Sequence, residues 1–78
     1  MGNISTDLQA EMAANANDSF EVLITLNEGC TAKSIKLEGA KSVMENILQA
    51  KLPVKDINRI AKNKNVVAIE KDSTMGIL

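Results

Sequence analysis

The chain has no histidine, no tyrosine and no tryptophan, and only one cysteine, one proline and one phenylalanine among its 78 residues. Each absence excludes a class of chemistry. Without histidine there is no Ser-His or Cys-His catalytic pair and no His-ligated metal centre. A lone cysteine, Cys30, forms no internal disulfide and no multi-cysteine metal site, so a metal-carrying domain built on a Cys-x-x-Cys pair is ruled out as well. With no large ring beyond Phe20 there is nothing to stack bases on, and a net charge of −1 with interspersed lysines and acids leaves no footprint for a nucleic-acid partner. No apolar run approaches the ~20 residues of a membrane span. The opening "MGNISTDLQ" lacks the basic and then apolar segments of a signal peptide. As written the chain reads as cytoplasmic; a segment excised from a longer secreted chain would be extracellular. These exclusions point away from an enzyme and from any cofactor.

What is present is aliphatic. Hydrophobic residues make up 45% of the chain, so Ile, Leu, Val, Met and Ala must build the core. The length suits one small domain, which buries only about 60–65% of its unfolded surface.

"STDLQAEMAANAND" reads as a short helix. Thr6 and Gln9 have the spacing of a capping box, Asp7 suits the positive end of the helix dipole, and the "NAND" run stops it. Leu8 and Met12, four apart, form a narrow apolar stripe. "FEVLITL" is a strand with Phe20, Val22, Ile24 and Leu26 on one face. "TAKSIKLEG" is expected to form about two helical turns, with Thr31 as N-cap and Gly39 as the left-handed terminator. "KSVM" and "ILQAKLP" are strands joined by a turn at "EN", the second with Leu48, Ala50 and Leu52 alternating. Pro53 ends that strand and suits the first turn of the next helix. In "VKDINRIAKNK" the residues Val54, Ile57, Ile60 and Ala61 share one face, and "NVVAIEKD" is a final strand.

Beyond the first helix the order is β-α-β-β-α-β. The expected fold is therefore α+β and ferredoxin-like: a four-stranded antiparallel sheet with two helices on one face, plus an extra N-terminal helix. The expected organisation is an N-terminal helical extension over 1–18, a core domain over 19–72 and a tail over 73–78. With Val67 and Ile69 directed at the helices, the open sheet face carries Leu23, Thr25, Val66 and Ala68, and ends in Glu70 and Asp72. Such a face is either an ordinary solvated surface or a docking surface; the alternation alone does not choose.

The stretch "ILQAKLPVKDINRIAKNKNVVAIEKD" resembles the inhibitor and propeptide domain of subtilisin-like serine proteases. That family has a strand of pattern Gly-Phe-x-Ala-x-Leu, a helix with spaced apolar residues, and a closing strand Val/Ile-Glu-x-Asp. Leu48, Ala50 and Leu52 match the first, Ile57 and Ile60 the second, and "NVVAIEKD" the third. "FEVLITLNEG" fits the family's first strand more loosely, so the likeness spans residues 20–78. The chain departs from it at Ile47, where the family has Gly, at Leu48, where it has an aromatic, and in the shortness of the helix after Thr31. Residues 1–17 have no counterpart.

The resemblance implies a partner, a subtilisin-like serine protease, and a mode of binding. Glu70 and Asp72 match acids that cap the N-termini of two parallel helices on the enzyme. Ser73, Thr74, Met75, Gly76, Ile77 and Leu78 match a tail that lies in the active-site cleft like the acyl side of a cleaved substrate. Leu78 and Met75 then occupy the pockets that prefer large apolar groups, and Gly76 lets the backbone approach closely. The implied function is that of a propeptide-like inhibitor, with folding-chaperone capacity, monomeric when free. The competing expectation is a ferredoxin-like regulatory or oligomerisation module with no protease partner, in which the tail is dispensable. Cys30 reads as a plain turn thiol, and the lysines of "KNKN" as a solvated helix end.

Overall fold

The computed structural model describes residues 3–37 and 39–72. In chain order the elements are β1 (Asn3–Ile4), α1 (Thr6–Ala14), β2 (Ser19–Leu26), a 3₁₀ turn (Ala32–Ile35), β3 (Lys41–Met44), β4 (Ile47–Pro53), α2 (Val54–Ala61) and β5 (Val66–Lys71). The fold is α+β. Its sheet, however, has five strands in the order β1-β5-β2-β4-β3, and it is mixed: β1 runs parallel to β5 while the other neighbours are antiparallel. The expected four-stranded antiparallel sheet thus gains a strand. Asn3 and Ile4 pair with Ala68 and Ile69, and the Ser5 amide donates to the Ile69 carbonyl at 2.9 Å.

Period-two alternation sets the core. Val22, Ile24 and Leu26 of β2 are buried, as are Leu48, Ala50 and Leu52 of β4, and each set faces the helices. The registers Val22↔Ala50 and Ile24↔Leu48 put them on one face. Onto that face α2 lays Ile57, Ile60 and Ala61, the apolar stripe expected of it. α1 adds Leu8 and Met12 to the same cluster, packing against β5, so the N-terminal segment is built into the core. Its N-cap is Ser5, whose hydroxyl accepts from the Leu8 amide at 3.4 Å, one residue ahead of the Thr6 expected. Gln9 reaches back to the Ile4 carbonyl at 2.6 Å.

The two-turn helix expected after Thr31 is a single 3₁₀ turn. Lys36 enters the left-handed region at φ 53°, and the turn stops there, ahead of Gly39. The burial pattern explains it. Ile35 and Leu37 are both buried, and residues two apart cannot share one face of a continuing helix. The cover beside β3 is correspondingly thin, leaving a hollow of about 430 Å³ whose apolar wall is Ala32, Ala40 and Leu48.

A second departure lies in β5. The pairing runs Thr25↔Ala68 and then Leu26↔Val66, so Val67 is the extra residue of a β-bulge. Above the bulge the face assignment flips: Val66 is 1% exposed in the core, and Val67, expected inward, is 44% exposed. Ile69 keeps its expected place in the core.

Candidate docking face

The face of the sheet opposite the core is read off the registers. One cross-strand row is Lys41, Gln49, Leu23 and Glu70, and its neighbour is Ile47, Thr25, Ala68 and Asn3. Beyond Leu23 lies Glu21, opposite Lys51, and the Asp72 amide donates to the Glu21 carbonyl at 3.0 Å. The centre of the face is small or apolar and half-buried, at Leu23, Thr25, Ile47 and Ala68. Charge is confined to its ends. Leu23, Thr25 and Ala68 stand where the alternation put them; Val66 is lost to the bulge.

The two acids stand in different surroundings. Glu70 is exposed, on the wall of a hollow of about 500 Å³ that also takes in Ser5, Asp7 and Ala10. The Lys71 ammonium forms an ion pair with the Glu11 carboxylate of α1 beside it. Asp72, expected to be an exposed acid of the same face, is only 5% exposed, and its Oδ2 accepts from the side-chain amide of Gln49. Gln49 lies on β4 and Asp72 follows β5, so this bond crosses the intervening strand β2.

Gln49 had no place among the residues that the sequence singled out. Its position is outward on an alternating strand, which is visible in "ILQAKLP", but which residue it meets depends on a register two strands away. The tail, Ser73, Thr74, Met75, Gly76, Ile77 and Leu78, lies outside the described residues. Cys30 is a half-buried free thiol packed against the core. Among the described residues no group of His, Cys, Asp or Glu could hold a metal ion, and no helix is long and apolar enough to cross a membrane.

The chain matches no family model, no curated protein and no solved structure.

Proposed function

We propose that this chain is a propeptide-like inhibitor of a subtilisin-like serine protease, with the capacity to act as a folding chaperone for it. It docks by the open sheet face and offers the residues after Asp72 to the active-site cleft. The observation that carries the reading is the exposed Glu70 at the end of β5, beside a half-buried patch of small and apolar side chains, Leu23, Thr25 and Ala68. A carboxylate so placed can meet the unsatisfied N–H groups of an enzyme helix, an interaction worth about 0.3–2 kcal/mol. The match of "NVVAIEKD" to the family's closing strand supports the same assignment.

The proposal includes a ferredoxin-like core. With β1 set aside, the strands run β5-β2-β4-β3. The crossover from β2 to β3 and that from β4 to β5 each skip one strand, as in two interlocked split βαβ units. In this reading β1 and α1 are additions that cover one edge, and the 3₁₀ turn stands in for the first helix.

The inhibitor has no catalytic role. Inhibition comes from slow turnover of a product-like segment held in the cleft by strand addition. The test is the rate of peptide hydrolysis by a subtilisin at rising concentrations of the protein. Dose-dependent, competitive loss of activity is the expected result. A flat response would hand the lead to the regulatory or oligomerisation module. That reading draws on Val43 and Met44, 49% and 63% exposed on the edge strand β3.

A further inference from the structure

We infer that Gln49 is a positioning residue. By holding the Asp72 carboxylate across β2 it pins the residue just past the end of β5 and fixes the point from which the chain continues. Three observations carry this. Neighbouring strands lie about 4.8 Å apart, so Gln49 and Asp72 start roughly two strand spacings from each other, and only a long donor meeting an inward-leaning acid closes the gap. Gln49 stands opposite the half-buried Leu23 and Asp72 beside Glu21, so the bond runs diagonally over β2 with an apolar side chain on one flank. Asp72 is buried although it lies past the end of β5 on the face away from the core, and its amide still pairs with the Glu21 carbonyl at 3.0 Å. Strand ends without such ties fray.

The two acids of "IEKD" thus divide their work. Glu70 stands exposed and free to meet a partner, whereas Asp72 is buried and bonded to Gln49 on the same face. On the inhibitor reading proposed above, the pin has a consequence for binding: a segment whose anchor point is already fixed loses less freedom on entering a cleft than one whose anchor point frays.

The test separates the pin from its use. Gln49→Leu keeps the bulk and removes the donor; Gln49→Lys restores a donor, now charged. Amide hydrogen exchange at Asp72 is the first measurement. It is expected to be about tenfold faster in Gln49→Leu than in wild type, a 1.4 kcal/mol loss of protection, and near wild type in Gln49→Lys. Amides of α2 serve as controls and should exchange alike in all three. Unchanged exchange at Asp72 in Gln49→Leu overturns the inference, whatever the protein does to a protease. The second measurement is the inhibition constant against a subtilisin, in the full chain and in a chain ending at Asp72. Gln49→Leu should weaken inhibition about tenfold in the full chain and not at all in the shortened one. Faster exchange with an unchanged inhibition constant would overturn the positioning role. If wild type inhibits no subtilisin, the inhibitor reading falls, and the exchange at Asp72 still decides the pin.

Discussion

Lys71 and Glu11 tie the end of β5 to the middle of α1 through an ion pair. Lys71 pairs with Val22 in register, which directs its side chain to the core side of the sheet, and the ammonium escapes burial by reaching α1. The side chains remain 46% and 39% exposed, so solvent screens the pair. Exposed pairs of this kind contribute about 0.2–1 kcal/mol. What holds α1 in place is therefore Leu8 and Met12 in the core. Lys71→Ala is expected to cost less than about 1 kcal/mol, and Leu8→Ala about 2–5 kcal/mol, both read from denaturant midpoints. Removal of the segment before Asn15 should cost more than either, because it uncovers Ile69 and the free edge of β5.

Glu70→Ala and Asp72→Ala should behave oppositely. Glu70 is exposed, and its loss should leave stability within about 0.5 kcal/mol and, on the inhibitor proposal, weaken protease inhibition roughly twofold to thirtyfold. Asp72 is buried and bonded by Gln49, so its loss should cost about 1–3 kcal/mol of stability. Thermal melts and inhibition constants on the same two variants decide it. Equal melting points would remove the internal role given to Asp72.

The bulge in β5 makes a sharp contrast between adjacent valines. Val66→Ala removes two methyl groups from a closed site and should cost about 2–3 kcal/mol. Val67→Thr is expected to change stability by less than about 0.5 kcal/mol. A reversed order, measured by urea unfolding, would mean that β5 is regular and that Val67 faces the core.

Val67 also marks where reading the sequence stops working. Alternation in "FEVLITL" and "ILQAKLP", and the helical period of Val54, Ile57 and Ile60, are local signals carried by strong apolar contrast, and they set β2, β4 and α2 with their buried faces. A bulge keeps the composition of a strand and changes only its pairing, so "NVVAIEKD" offers no sign that one residue is skipped. β1 is similarly silent: two residues have no period, and they form a strand only because β5 lies beside them. Glu70 was legible because its face follows from Ile69 next to it. The burial of Asp72 was not, since Gln49 becomes its neighbour through the β2–β4 and β2–β5 registers together.

Lys36 holds a left-handed conformation that costs a side-chain-bearing residue about 1–2 kcal/mol and glycine nearly nothing. Its side chain is exposed, so nothing packed is lost on truncation. Lys36→Gly should therefore stabilise the protein by several tenths to about 1 kcal/mol, after the greater freedom of the unfolded glycine chain is offset. A fall in the melting temperature would mean that the 3₁₀ turn does not end at Lys36.

The remaining prediction concerns the residues that follow Asp72. If they enter a protease cleft as a product does, Leu78 and Met75 fill apolar pockets and supply most of the affinity, each about 1.5–3 kcal/mol when fully buried. Ser73, Thr74 and Gly76 act through their backbone and should tolerate substitution better. Deleting 75–78 removes both anchors and should weaken inhibition roughly a hundredfold to ten-thousandfold, leaving at most the weak docking of the sheet face. Leu78→Asp should be comparably severe, because it forces a carboxylate into an apolar pocket. Neither change alters a residue of the core cluster described above, and on this reading thermal melts should match wild type. The measurement is the inhibition constant of the shortened chain against a subtilisin that the full chain inhibits. Equal constants would show that the segment is incidental, and the exposed edge at Val43 and Met44 would then become the surface to pursue.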